Sequence, residues 1–94
     1  MLEKNIERKL VKETKACHGM CLKFTSPSMT GIPDRIILLP KGKIGFVEVK
    51  RKDERPRSIQ IKRINDLRDL GFKVVVLDDE KNIDKILKEI GGDA

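Results

Sequence analysis

The chain has 94 residues, with 21 Lys or Arg against 15 Asp or Glu, which gives a formal net charge of +6 at pH 7. This length predicts one small domain over residues 1–94, and no apolar run is long enough to cross a membrane. The aromatic residues are three Phe, which disfavours a single-strand binder that stacks bases on aromatic side chains.

The residue pattern predicts three helices and four strands in the order α-β-β-β-α-β-α. Apolar residues spaced by three or four predict a first helix from Leu2 to about Cys17. Strands are predicted over residues 20–24, 34–39, 44–50 and 72–77, with a polar loop over residues 25–33. A last helix over residues 81–90 would be capped by Asp79.

The second helix is predicted to start at a Ser58 cap and to end near residue 70. One apolar face is expected for it, formed by Ile61, Ile64, Leu67 and Leu70. The first three strands would form an antiparallel meander, and a right-handed crossover through this helix would make the fourth strand parallel. The predicted fold class is therefore α/β, with helices covering a mixed sheet.

The segment PKGK at residues 40–43 predicts a three-residue hairpin loop with Gly42 in the left-handed conformation. Leu39 would then pair with Lys43, and the same register puts Asp34 opposite Glu48. Lys50 lies two residues after Glu48 and shares its face. A two-residue loop would shift the register by one and move Asp34 to the other face.

Two adjacent carboxylates repel, so a proton or a cation must relieve the pair formed by Asp34 and Glu48. A local salt bridge to Lys50 is one explanation. The other is a Mg²⁺ site, because Mg²⁺ favours one or two carboxylates together with a phosphate oxygen. In that case Lys50 would activate water or stabilise charge on the phosphate.

Positive charge is concentrated just after these residues. Residues 50–63 contain seven Lys or Arg and two acidic residues, whereas residues 78–94 have a net charge of −3. A basic run of this density indicates either a solvated face or a contact with a phosphate backbone.

The segments Gly31-Ile32-Pro33-Asp34-Arg35 and Glu48-Val49-Lys50 resemble the G-x-P-D … E-x-K signature of the PD-(D/E)xK nucleases. Among these nucleases the chain is similar to the stand-alone phage and bacterial type of the VRR-NUC (virus-type replication–repair nuclease) family. The resemblance covers roughly residues 3–78 and implies a restriction-endonuclease-like αβββαβ core, to which the last helix is an addition.

The resemblance also implies roles for individual residues. Asp34 and Glu48 would bind Mg²⁺, or Mn²⁺ in its place, together with the main-chain carbonyl of Val49. Lys50 would position or activate the attacking water. Gln60 would be the glutamine that the family carries on a helix near the site, although capping of the second helix is an alternative role for it.

The family also takes a carboxylate from the first helix, and Glu3 and Glu7 are both candidates. Glu7 is preferred because Ile6 and Leu10 flank it, so it should face the sheet. Arg35 should point to the opposite face from Asp34.

The resemblance implies a homodimeric, structure-selective DNA endonuclease that cuts branched DNA, such as four-way (Holliday) junctions, in the cytoplasm of a bacterial or phage-infected cell. Small size independently favours a dimer, because one chain offers one site and little surface for a duplex. Flaps, nicked duplexes and RNA are alternative substrates. A non-catalytic nucleic-acid-binding module and a structural subunit are alternative functions.

Overall fold

Three helices and four strands follow one another along residues 2–92, the part of the chain described by this computed structural model. Their order is the predicted one. The helices are α1 (Glu3–Ala16), α2 (Ser58–Asp69) and α3 (Ile83–Gly91), and the strands are β1 (Met20–Lys23), β2 (Arg35–Leu39), β3 (Lys43–Val49) and β4 (Lys73–Leu77). No helix within residues 2–92 combines the length and the apolar content needed to cross a membrane.

The four strands form one sheet in the order β1-β2-β3-β4. β2 runs antiparallel to both β1 and β3, whereas β3 and β4 are parallel. A parallel pair needs a long connection between its strands, and α2 supplies it. The predicted meander followed by a crossover is confirmed.

The hairpin between β2 and β3 has the predicted register. Leu39 pairs with Lys43 and Arg35 pairs with Val47, so one further step places Asp34 opposite Glu48. Gly42 has a φ of 73°, as expected, and Lys41 unexpectedly shares the left-handed region with a φ of 69°.

The two faces of the sheet are covered unequally. α1 and α3 pack on one face, where a large buried cluster includes Ile37, Val47 and Leu77. α2 covers the other face, where a smaller buried cluster consists of Phe46, Ile64 and Val74. Four large apolar side chains stay exposed to solvent on or beside the strands: Met20, Leu22, Ile44 and Phe72.

The predicted apolar face of α2 is wrong at both of its ends. Ile61 is 48% exposed and Leu70 is 74% exposed, whereas Ile64 is buried. Nine residues of an α-helix make two and a half turns, so Ile61 and Leu70 lie on opposite sides of the helix. Apolar residues placed at every third position therefore rotate progressively around the helix, so they do not all face the sheet.

The predicted capping of the last two helices is half correct. Ser58 is not a cap but the first helical residue, and the cap position belongs to Arg57. The Arg57 main-chain N–H donates to Oε1 of Gln60 at 2.8 Å, so the first turn is closed by a residue inside the helix. Asp79 accepts a hydrogen bond from the main-chain N–H of Lys81, at the start of the 3-10 turn that leads into α3.

Candidate active site

The two signature carboxylates lie side by side where β2 begins and β3 ends. Asp34 immediately precedes β2, and Glu48 is the last residue but one of β3. Oδ2 of Asp34 accepts a hydrogen bond from the main-chain N–H of Val49 at 2.9 Å. This bond fixes the end of the preceding loop to β3 and holds Asp34 beside Glu48.

Glu48 is the most deeply buried ionisable group of the site, with 2% of its surface exposed. Its Oε2 accepts a hydrogen bond from Nε2 of Gln60 at 2.8 Å and lies 3.3 Å from Nζ of Lys50. Its Oε1 is also buried, yet it has no hydrogen-bond partner among the residues that the structure describes. The salt bridge to Lys50 therefore exists, but it leaves half of the carboxylate unsatisfied.

Burial and the neighbouring carboxylate both act on Glu48. Loss of solvent is the larger cause and the charge of Asp34 the second, and together they raise the pKa of Glu48 to about 7 against the opposing effect of Lys50. The pKa of Asp34 is also raised, mainly by burial, although its hydrogen bond from Val49 acts in the opposite direction. Near neutral pH the pair thus resists carrying two negative charges.

Gln60 makes both of the contacts that the sequence offered as alternatives. Its Oε1 accepts from Arg57 and caps α2, while its Nε2 donates to Glu48. It is buried and occupies the first turn of the helix. One side chain thereby ties the start of α2 to the carboxylate.

Lys50 is held in place by its own main chain. Its N–H donates to the carbonyl of Leu77 at 2.9 Å, which extends the pairing of β3 with β4 by one residue. The side chain consequently points to the same face as Glu48, and the residue is 9% exposed. A nearly buried ammonium group thus stands beside the carboxylates.

The two glutamates of α1 have different surroundings. Oε2 of Glu7 lies 2.7 Å from Nε of Arg35, which pairs with Val47 and so faces away from Asp34. Glu3 has a pKa raised first by burial and next by the charge of Asp34. Within residues 2–92, no three Asp, Glu, His or Cys side chains are grouped as metal ligands, so neither Glu3 nor Glu7 is already brought together with the two signature carboxylates.

Contacts that the sequence did not predict hold the loop before Asp34 against α2. Gly31 has a φ of 82°, and a Cβ atom added to it would lie 2.7 Å from the carbonyl oxygen of Ile59. Nε of Arg63 donates to the carbonyl of Thr30 at 2.9 Å. The glycine was visible in the signature, whereas nothing in the sequence distinguished Arg63 from the other basic residues around it.

The basic run of residues 50–63 divides into two groups. Four of its seven bases form ion pairs: Lys50 with Glu48, Lys52 with Asp79, and both Lys62 and Arg63 with Asp66. Three arginines are exposed and have no ion-pair partner in the described part of the chain: Arg51, Arg55 and Arg57. These three are free to contact phosphate.

The oxygen atoms at this site suit a hard divalent cation. The carboxylates of Asp34 and Glu48 lie side by side, and such oxygen donors are the ligands that Mg²⁺ prefers. A buried carboxylate oxygen without a partner is rare in proteins, and a role in binding a cation is one of its recognised explanations. The donor set of Asp34 and Glu48 therefore fits the cation that the sequence signature implies.

Comparison with known proteins identifies the family. No family model matches the chain. It is 44% identical over 78 residues to "Putative nuclease p44" of Acyrthosiphon pisum secondary endosymbiont phage 1, an alignment that covers 83% of this chain and 84% of that protein. A solved structure described as a VRR_NUC domain superposes with a TM-score of 0.86 at 29% identity, over 92% of this chain and 94% of the other. The chain belongs to the VRR-NUC family of nucleases.

Proposed function

We propose that the protein is a divalent-metal-dependent DNA endonuclease that hydrolyses phosphodiester bonds, with branched DNA such as four-way junctions as its substrate. The observation that carries the proposal is the buried Oε1 of Glu48, which has no partner among residues 2–92 and lies beside a second carboxylate. Burying an unsatisfied charge costs several kcal/mol. A bound cation that neutralises this oxygen explains why the chain carries such a group.

In this proposal Asp34, Glu48 and the carbonyl of Val49 hold Mg²⁺, or Mn²⁺ in its place. When bound, the cation would polarise the scissile phosphate and promote the ionisation of water. Gln60 keeps the carboxylate of Glu48 in one orientation, because its own position is fixed by the capping bond to Arg57.

Lys50 acts on the attacking water. In hydrolysis the attacking water releases a proton to solvent and its oxygen bonds to phosphorus, while the bond between phosphorus and one ester oxygen breaks and that oxygen takes up a proton from solvent. An ammonium group beside Glu48 can donate a hydrogen bond to that water and orient it, or stabilise the charge that develops on the phosphate. Arg51, Arg55 and Arg57 are available for the phosphates on either side.

The first helix offers two carboxylates for the same cation. To bind it, Glu7 would have to leave its 2.7 Å ion pair with Arg35. Glu3 forms no ion pair within the described residues, and the pKa of its carboxyl is raised by burial and by Asp34. We therefore propose Glu3 as the ligand from α1, which reverses the preference for Glu7 that the sequence suggested.

A metal titration distinguishes the two glutamates. We expect Glu3→Gln to weaken Mn²⁺ binding by at least tenfold and Glu7→Gln to leave it within about threefold, with calorimetry as the measurement. The opposite ranking would restore Glu7 as the ligand.

The catalytic proposal is tested by cleavage of matched substrates. A four-way junction, a flap, a nicked duplex, a plain duplex, single-stranded DNA and RNA are incubated at one salt concentration with Mg²⁺ or with a chelator. We expect metal-dependent cutting of the junction and its loss in Lys50→Ala. Lys43→Ala, which removes an exposed lysine at the other end of β3, serves as the matched control. Equal product from wild type and Lys50→Ala would refute the role of Lys50.

We further propose that the enzyme is a homodimer acting in the cytoplasm of a bacterial or phage-infected cell. Symmetric cutting of two strands needs two sites, and each chain has one. The exposed apolar side chains of Met20, Leu22 and Phe72 lie on the face of the sheet that α2 covers only in part. Their exposure supports this face as the dimer contact surface. The related nuclease comes from a phage, which supports the location.

Light scattering tests the dimer. We expect a mass twice the 10.7 kDa of one chain for the wild type, and dissociation in Leu22→Asp. A wild-type mass of one chain at assay concentration would contradict the proposal.

A further inference from the structure

A second basic surface lies on the opposite side of the sheet from α2. α1 and the ends of β1 and β2 enclose a cavity of about 310 Å³, called here the α1 groove. Its lining residues are Lys4, Glu7, Arg8, Val11, Lys23 and Arg35. Four of these six residues are basic and one is acidic.

Positive charge in the α1 groove is largely uncompensated. The one carboxylate, Glu7, is already paired with Arg35. Lys4, Arg8 and Lys23 are exposed, and none of them has an ion-pair partner in the part of the chain that the structure describes. Like charges four residues apart on a helix destabilise it. Lys4 and Arg8 are four residues apart on α1, so an anionic ligand in the groove would relieve their mutual repulsion.

Two of these bases, Lys4 and Arg8, belong to a longer stripe on α1 whose spacing matches a nucleic acid strand. Lys4, Arg8 and Lys12 follow one another at intervals of four residues along α1, and all three are exposed. At a rise of 1.5 Å per residue the stripe is about 12 Å long. One strand of a duplex presents a phosphate about every 3.4 Å along the axis, so the stripe spans roughly three or four phosphates.

The α1 groove also adjoins the catalytic carboxylates. Arg35 directly follows Asp34 in the chain, and the charges of Glu7 and Arg35 both act on the carboxyl of Asp34. Three exposed arginines, Arg51, Arg55 and Arg57, follow Lys50 in the chain, and Arg57 is the cap residue of α2. Basic residues of α1 and of the segment before α2 thus both adjoin the candidate active site.

We propose that the α1 groove binds the phosphate backbone of duplex DNA beside the cleavage site, with Lys4, Arg8 and Lys23 as the phosphate contacts. This inference rests on the proposed function, because it assigns a further part of the substrate to the same enzyme. The groove carries no base-reading element, so it would add affinity without sequence preference.

The test is DNA binding without cleavage. Fluorescence anisotropy in chelator measures the Kd of a labelled duplex for wild type and for the double variant Arg8→Ala/Lys23→Ala over a range of salt concentrations. Each lost phosphate contact lowers the slope of log K against log salt by about 0.9. We expect a slope smaller by about 1.8 and a Kd about 60-fold weaker at 0.1 M salt.

The matched control is Lys41→Ala/Lys43→Ala, which removes two exposed charges at the hairpin, the other end of β2 and β3. This control should lose much less affinity. A variant with Arg8→Lys in place of Arg8→Ala should regain most of the affinity, which would show that the charge of the side chain, and not its packing, is responsible. Circular dichroism verifies that each variant is folded.

The outcomes separate the two proposals. If both double variants bind alike, or if wild-type protein does not bind duplex DNA, the α1 groove is not a DNA surface. If the groove variant alone loses affinity but wild type cuts no substrate with metal, the groove is supported and the proposed catalysis fails.

Discussion

Neutralising Glu48 should stabilise the metal-free protein at alkaline pH. The carboxyl has an ordinary pKa of 4.5 in the unfolded chain and a pKa of about 7 in the folded one. The folded state therefore binds the proton more tightly. The stability that this proton confers is complete below pH 4.5 and is lost as the pH rises through 7.

The substitution Glu48→Gln keeps the shape of the side chain and removes its ionisation. Raising the pKa from 4.5 to about 7 corresponds to about 3 kcal/mol of stability lost when Glu48 is ionised, at 1.36 kcal/mol per pKa unit. We expect Glu48→Gln to raise the free energy of unfolding by about 3 kcal/mol at pH 8. At pH 5 the gain should fall below about 1 kcal/mol, because wild type then keeps its proton when folded.

Urea unfolding in chelator at pH 5 and pH 8 measures both differences. Glu89→Gln, which removes an exposed carboxylate on α3, controls for a general effect of charge. Saturating Mg²⁺ at pH 8 should stabilise wild type and leave Glu48→Gln unchanged, because ligand binding to the folded state adds to its stability. A variant that is less stable than wild type at pH 8 in chelator would refute the reasoning.

Two further substitutions test how the site is held. Gln60→Ala should lower the free energy of unfolding by about 1–3 kcal/mol and reduce cleavage, because it removes a helix cap and a hydrogen bond to Glu48. Urea denaturation measures the first effect and the cleavage rate the second. An unchanged cleavage rate would contradict the positioning role of Gln60. Gly31→Ala should lower the free energy of unfolding, measured in urea, by about 2–4 kcal/mol, because the added Cβ would meet the carbonyl of Ile59. Gly42→Ala should lower it by only about 1–2 kcal/mol, because Gly42 also has a positive φ but faces open space. Equal losses from the two glycine variants would show that the loop does not need its close contact with α2.

Local sequence rules were sufficient for the sheet and for the pair of carboxylates. The loop at residues 40–42 fixes which residues of β2 and β3 are opposite each other, and alternation then decides the face of every side chain. Because both rules operate within a few residues, they place Asp34, Glu48 and Lys50 together without knowledge of any helix.

Predictions that depended on how a helix sits on the sheet were less successful. Glu7 was expected to face the signature carboxylates because apolar residues flank it, and it does face the sheet. However, α1 packs on the face opposite Glu48, so Glu7 meets Arg35. It is Glu3, at the first residue of the helix, whose charge acts on Glu48. Periodicity identifies the buried side of a helix, but it contains no information about which face of the sheet that side covers.

The capacity of Glu48 to bind a cation and the stability lost when Glu48 is ionised without one have the same origin. Burial raises the pKa of Glu48, and the same enclosed carboxylate is oriented by its contacts with Gln60 and Lys50. A more solvated Glu48 would cost less in the absence of a cation, but its oxygen atoms would be less well fixed. Tight cation binding and poor metal-free stability at alkaline pH should therefore change together in variants of Gln60, because both depend on the same enclosed position of one carboxylate.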